Sequence, residues 1–223
     1  MDKKSEITVL LADDHGIVRK GIRSLLEQES WIKIVGEAED GMEVLKKAGK
    51  LLPDILVLDI SLPLLNGLEV ARRLNKLHSE IKIIILSMHD SDDLIYETLQ
   101  AGVKGYILKK SAPDQLVSAI RAVSLGKSFF SPEISKIIDE RKIEQGQLIG
   151  KESILVPALT GRESDILQLV AEGHSNREIA EILFISIKTV ENHRSKIMEK
   201  MNFRNIADLI KYAVSKGIIQ LRD

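Results

Sequence analysis

The sequence contains no cysteine, which excludes disulfide staples and thiolate metal sites. No stretch has the length and apolarity of a membrane span, and the polar start Met1-Asp2-Lys3-Lys4 leads into no signal-peptide core. A cytoplasmic protein without a membrane partner is the expectation. An excess of one charge is also lacking: 32 Lys and Arg stand against 33 Asp and Glu, a formal net charge of −1. Net charge therefore gives no vote for nucleic acid, and any DNA site has to come from local arrangement. There is no internal repeat and no low-complexity tract.

What is present is 223 residues, 44% hydrophobic and 29% charged, an ordinary globular composition with length enough for two domains that each bury a core. The first half alternates. Apolar β-type runs occur at Ile7-Ala12, Ile32-Val35, Ile55-Leu58, Ile81-Leu86 and Gly105-Leu108. Helical patterns lie between them, at Gly16-Gln28, Gly41-Leu51, Asn66-Leu77, Asp92-Ala101 and Pro113-Leu125. Strands that read as continuous apolar runs are buried on both faces, the mark of a parallel sheet covered by helices. These β-α units predict a doubly wound α/β domain with five parallel strands in the order 2-1-3-4-5. Pro53, Pro63 and Pro113 punctuate the ends of elements.

After Phe130 the pattern weakens. A polar segment from Ser131 to Pro157 reads as a linker with a short helix near Glu133-Arg141. From Leu159 onward the chain is wholly helical. The expected division is therefore 1–130, a linker over 131–157, and an all-α four-helix domain over 158–223.

Polar residues collect at the ends of the predicted strands. Asp13 and Asp14 follow the first, Asp59 ends the third, Ser87 the fourth and Lys109 the fifth. Function gathers at the carboxyl ends of parallel strands, where strand order reverses. Asp13, Asp14 and Asp59 should converge there. Three carboxylates in one cleft repel one another unless a cation sits among them, and hard oxygen donors suit Mg²⁺. With Lys109 opposite, the pocket suits an incoming phosphoryl group, with Asp59 as the nucleophile and Ser87 as a hydroxyl able to follow the phosphate. The plainer alternative is that Asp13 or Asp14 caps the following helix. His15 and His89 flank the pocket and read as surface loop histidines.

The motifs Leu11-Ala12-Asp13-Asp14-His15, Leu58-Asp59-Ile60-Ser61-Leu62-Pro63, Asn66-Gly67, Leu86-Ser87-Met88 and Gly105-Tyr106-Ile107-Leu108-Lys109 occur in order at strand ends. Together they resemble the receiver domain of response regulators. The resemblance implies that Asp59 accepts phosphate from a sensor histidine kinase. It also implies Mg²⁺ on Asp14, Asp59 and the Ser61 backbone carbonyl, with Asp13 acting through water, and Ser87 with Tyr106 as a switch pair. Many receivers carry proline after the lysine, where this chain has Lys110. A strand-end aspartate is also the nucleophile of haloacid-dehalogenase-like phosphatases, which place an acid two residues later. That position is Ser61 here, so turnover as an enzyme is not expected.

The helical end shows cap signatures: Thr160 with Glu163, Ser175 with Glu178, Asn205 with Asp208, and Ser186 before Ile187. They predict helices over Gly161-Ala171, Asn176-Leu183, Ile187-Met201 and Asn205-Ser215, the second and third at helix-turn-helix spacing. On the third, Val190, His193, Ile197 and Met201 share the core face, and Lys188, Asn192, Ser195 and Glu199 the opposite one. A polar face of this kind can be a DNA surface or a solvated one. The runs Leu159-Thr160-Gly161-Arg162-Glu163, Ala171-Glu172-Gly173, Ser175-Asn176-Arg177-Glu178-Ile179-Ala180 and Ser186-Ile187-Lys188-Thr189-Val190-Glu191-Asn192-His193 resemble the LuxR-type helix-turn-helix. With the receiver in front, the whole chain resembles the NarL/FixJ family of response regulators. That resemblance implies DNA contacts from Lys188, Thr189, Asn192, Arg194, Ser195 and Lys196. Its partners would be double-stranded DNA, RNA polymerase and, on phosphorylation, a second copy of the chain. Leu209, Ile210 and Ala213 resemble the dimer surface of this domain, or else simply pack its core. Some members carry lysine where this chain has Glu191, so base preference is not transferred.

Overall fold

In the computed structural model, residues 6–147 and 159–219 are described. They form two compact units, Met1–Gln147 and Leu148–Asp223.

The first unit is a parallel sheet between two layers of helices. Its elements are β1 (Ile7–Ala12), α1 (Gly16–Leu26), β2 (Ile32–Ala38), α2 (Gly41–Leu51), β3 (Ile55–Asp59), α3 (Gly67–Leu77), β4 (Lys82–Ser87), α4 (Asp92–Gln100), β5 (Gly105–Leu108), α5 (Ala112–Ser124), β6 (Phe129–Phe130) and α6 (Pro132–Gln147). The strand order is β2-β1-β3-β4-β5-β6. The doubly wound parallel sheet is as expected, with one strand more than the predicted five. β6 is only two residues long, too short to show a pattern, and it adds in parallel to the edge of β5.

Alternate strand residues serve the two faces. Leu10, Ala12, Leu56 and Leu58 pack with Val44 of α2, Val70 of α3 and Ile95 of α4. Val9, Leu11, Ile55 and Val57 pack with Leu26 of α1 and with Leu116 and Ile120 of α5. β2 runs three residues past the expected Val35. It is an edge strand, so polar Glu37 is tolerated there, and it meets Arg19 and Arg23 of α1.

The segment expected as linker begins with α6, which is longer than the short helix anticipated. Ile134 is fully buried in the first unit's core, and Ile137 and Ile138 pack against it. Residues 148–157 of the expected linker lie outside the described residues. Lys109–Ser111 form a single 3-10 turn, and among the described residues no peptide bond is cis.

The described residues of the second unit form four helices and the turns between them: α7 (Gly161–Ala171), α8 (Asn176–Leu183), α9 (Ile187–Lys200) and α10 (Ile206–Ser215). Every anticipated cap is made. Thr160 and Ser175 form full capping boxes with Glu163 and Glu178. Ser186 and Asn205 accept from the amides of Thr189 and Asp208. Ile166, Leu169, Ile179, Val190, Ile197 and Ala213 are buried in this unit. No helix among the described residues is long and apolar enough to cross a membrane.

Candidate functional site

The acidic residues do converge at the strand ends of the first unit. Asp59 ends β3 and is 1% exposed, and Asp13 follows β1 and is 2% exposed. The Lys109 ammonium lies between them, with Nζ 2.6 Å from Asp59 Oδ2 and 2.8 Å from Asp13 Oδ2. Ligand atoms of Asp13, Asp14, His15 and Asp59 all fall within 4.8 Å of one another.

The local fold explains the placement. Asn66 caps α3 by accepting from the Glu69 amide at 2.9 Å, and the Gly67 amide donates to the Ile60 carbonyl at 2.8 Å. The loop after Asp59 is thereby folded back over the strand end. A Cβ on Gly67 would lie 2.3 Å from the Asp59 carbonyl oxygen, so only glycine permits this approach. The Ser61 amide donates to Asp59 Oδ1 at 3.2 Å. The alternative reading of Asp13 and Asp14 as caps of α1 does not hold, because the N-cap residue is His15 and no side chain makes a cap bond there. Asp13 Oδ1 instead accepts from the His15 amide at 2.8 Å.

Electrostatics follow from burial. Burial pushes the Asp59 carboxyl above the usual carboxylate range, opposed by the charge of Lys109 and reinforced by Asp13. For Lys109 burial works against the charge, yet Asp59 and Asp13 outweigh it and hold the ammonium above its ordinary value. Three carboxylates and one ammonium leave the pocket negative, and the oxygen donors of Asp13, Asp14 and Asp59 fit a hard divalent cation.

Ser87 and Tyr106 are both fully buried and meet on one residue. Ser87 Oγ accepts from the His89 amide at 2.9 Å, and the Tyr106 hydroxyl donates to the His89 carbonyl at 2.8 Å. Burial pushes the Tyr106 phenol up to about 12, with a hydrogen bond to Ser87 opposing it. Two features escaped the sequence reading. The backbone of Tyr106 is bonded to the start of the expected linker, since the Ser131 amide donates to the Tyr106 carbonyl at 3.1 Å. His15, read as a plain loop residue, turns its ring onto Asp14, with Nδ1 2.8 Å from Oδ1.

In the second unit, Lys188, Asn192, Ser195 and Lys196 are exposed along one side of α9, while Val190 and Ile197 are fully buried on the other. Lys188 lies 3.5 Å from Glu191, a contact between well-exposed groups that leaves its ammonium available. Thr189 is half-buried, its hydroxyl 2.8 Å from that of Ser186. Arg194 is also half-buried and donates to Asn176 at the start of α8. It thus braces the two helices rather than standing clear with Lys188. Arg162 makes a parallel brace to the Leu183 carbonyl at 2.9 Å. His193 is half-buried with Nδ1 out of contact with water. Leu209 and Ala213 are buried and Ile210 half-buried, so the core-packing reading accounts for the first two.

Two families match this chain. The response regulator receiver domain matches residues 9–121, and the bacterial regulatory proteins of the luxR family match residues 157–213. The oxygen regulatory protein NreC of Staphylococcus carnosus (strain TM300) is 36% identical over 213 residues, covering 95% of this chain and 98% of that protein. The transcriptional regulatory protein DegU of Brevibacillus brevis is 31% identical over 230 residues, covering 98% of each. Among solved structures, RcsB of Salmonella enterica serovar Typhimurium, bound to a promoter in the presence of the phosphomimetic BeF3−, is 31% identical. It aligns with a TM-score of 0.62 over 95% of this chain and 100% of that one.

Proposed function

The chain belongs to the NarL/FixJ family of response regulators, and from that premise we propose that phosphorylation of Asp59 by a sensor histidine kinase controls its binding to DNA. The observation that carries this reading is the Lys109 ammonium held between Asp59 and Asp13 at the strand ends. A carboxylate oxygen of Asp59 attacks the phosphorus of the kinase's phosphohistidine, an O–P bond forming as the P–N bond breaks and the imidazole leaves, and Lys109 balances charge on the phosphoryl oxygens. Asp14, Asp59 and the Ser61 carbonyl would hold Mg²⁺, with Asp13 acting through water. When bound, the ion supplies further positive charge to the phosphoryl oxygens.

Ser87 and Tyr106 are the switch pair in this reading, which their common attachment to His89 supports. The outcome is dimerisation. One helix-turn-helix makes a small interface, and a two-fold pair on two half-sites is the usual remedy. Lys188, Thr189, Asn192, Arg194, Ser195 and Lys196 meet the DNA, with Arg194 also bonded to Asn176 at the start of α8. The RcsB complex with a promoter supports placing this unit on double-stranded DNA. RNA polymerase is the downstream partner, in the cytoplasm. In this reading residues 1–130 are the receiver, 131–157 the linker and 158–223 the DNA-binding domain.

Incubation with a small acyl-phosphate donor and Mg²⁺ should add one phosphate, lost in Asp59→Asn. Sedimentation and gel-shift titration with and without the donor should show more dimer and tighter DNA binding with it. Full labelling of Asp59→Asn, or equal DNA affinity in both states, would overturn the reading.

A further inference from the structure

We infer that Arg19 of α1 is a positioning residue for phosphoryl transfer at Asp59, acting through Asp13 and the Lys109 ammonium. This rests on Asp59 being the phosphoryl acceptor. Its new element is the side chain that holds the loop between β1 and α1. Arg19 Nη1 donates to the Asp13 carbonyl at 2.6 Å, and the Arg19 amide donates to the His15 carbonyl at 2.9 Å. One residue therefore clasps the Asp13-Asp14-His15 loop at both ends.

The clasp is itself anchored. Nε donates to Glu37 Oε2 at 2.8 Å and Nη2 to Glu39 Oε1 at 2.5 Å, so the guanidinium reaches from the end of β1 to the end of β2. The Arg19 side chain is only 11% exposed, so water replaces these bonds in part at most. A planar fork with fixed donor directions suits three acceptors at once. A lysine ammonium, a point charge on a flexible stem, does not hold that geometry.

What the clasp fixes is Asp13. Its amide donates to the Ala38 carbonyl at 3.2 Å, its carbonyl takes Arg19, and its Oδ1 accepts from the His15 amide at 2.8 Å. Its Oδ2 lies 2.8 Å from Lys109 Nζ, which in turn lies 2.6 Å from Asp59 Oδ2. Asp13 is thus one fixed side of the cradle in which the ammonium sits. That ammonium has to meet the phosphoryl oxygens as charge develops on them. A misplacement of about 1 Å in such a group costs about 100-fold in rate. Arg23, one turn further along α1, supplies an internal comparison. It braces the same edge strand by way of Glu37, and its Nε donates to Glu27.

The test uses the full chain, Mg²⁺ and a small acyl-phosphate donor. An oxygen of Asp59 takes the phosphoryl group as the donor's acyl O–P bond breaks and its carboxylate leaves. Rates against donor concentration are measured for the parent, Arg19→Lys, Arg19→Gln and Arg23→Ala, and counted per folded molecule from urea titrations. Both Arg19 variants should lose about tenfold or more in maximal rate, with the half-saturating donor concentration unchanged. Arg23→Ala should lose stability and keep the parental rate. Without ion or donor, the Lys109 ammonium protons, on a side chain 9% exposed, should exchange with water faster in the Arg19 variants than in the parent or Arg23→Ala. Parental maximal rates in both Arg19 variants, or an equal loss in Arg23→Ala, would overturn the role of Arg19 alone. Full labelling of Asp59→Asn would instead overturn the acceptor beneath it.

Discussion

One carboxylate ties α9 to α7, and removing it gives a measurable cost. Glu163 Oε2 accepts from the Thr160 amide at 2.8 Å and from Lys200 Nζ at 2.9 Å. It therefore closes the start of α7 and ties it to the end of α9. The side chain is only 10% exposed, so neither bond is fully replaced by water. Loss of the capping contact costs about 1 kcal/mol. The charge-assisted bond from Lys200, 28% exposed, adds about another 1 kcal/mol after screening. Glu163→Ala should thus destabilise the second unit by about 2 kcal/mol, and Glu163→Gln, which keeps an acceptor, by about half that. For a unit of this size that is a fall in Tm of roughly 10 °C for the alanine variant.

The pH dependence has a defined sign. The Thr160 amide, and after it Lys200, hold the Glu163 carboxyl below the usual range. The stabilisation is then fully present above the unfolded value of about 4.3 and is lost as pH falls through the lower folded value. The assay is far-UV circular dichroism of the full chain, with Trp31 fluorescence marking the first unit, since the chain has one tryptophan and it lies there. The transition that fluorescence does not follow should move down in the variants at pH 7 and rejoin the parent's in acid. Equal stability at pH 7, or a difference that does not shrink as pH falls through the carboxylate range, would refute the reasoning.

Gly67→Ala would set a methyl 2.3 Å from the Asp59 carbonyl oxygen, so the loop must shift. A loss of about 1–3 kcal/mol in the first unit is expected by urea titration, with weakened Mg²⁺ binding. Lys188→Ala should weaken binding to all DNA sequences and lower the salt slope by about 0.9, whereas Asn192→Ala should change preference by about 1–3 kcal/mol at one base pair. Gel shifts at several salt concentrations separate the two, and parental behaviour in both would mean that α9 does not face DNA. Ser61 and His89 stand two residues after Asp59 and Ser87, their amides bonded to those side chains, so Ser61→Asn and His89→Glu are expected to bring a water-orienting group to the phosphate and to speed the decay of phosphorylated protein after donor removal. Unchanged decay in both would show that neither position governs the attacking water.

Much of this was legible because the signals were local or periodic. Unbroken apolar runs marked the central strands, and the caps at Thr160, Ser175, Ser186 and Asn205 placed the helix starts within a residue or so. The pocket was legible because parallel strands all deliver their last residues to one end. Less legible were contacts decided by side-chain direction. Nothing in the spacing of His15 says that its ring bends to Asp14 rather than to solvent, or that Arg194 turns to Asn176 rather than outward. Such choices depend on the backbone conformation of one or two residues and on a partner distant in sequence.

The same limit hid the element with most bearing on how a signal leaves the pocket. Phe129 and Phe130 are two apolar residues followed by proline-led polar sequence, and nothing in that pattern distinguishes a strand from the start of a linker. Yet β6 pairs Phe130 with Tyr106, and the Ser131 amide donates to the Tyr106 carbonyl. Ile134 of α6 is buried in the same core cluster as Tyr106 and Ile95 of α4. The Tyr106 hydroxyl, at the other end of that side chain, is bonded to His89, which also holds Ser87 beside the acidic residues. A chain of packed and hydrogen-bonded groups therefore runs from the strand ends through Tyr106 into the helix that precedes the second unit in sequence. On the proposed switch, movement of Ser87 toward a phosphate on Asp59 is expected to loosen its bond to the His89 amide and, through His89, that of the Tyr106 hydroxyl. Amide exchange at Phe129, Ser131 and Ser135 is accordingly the place to watch for phosphorylation leaving the pocket.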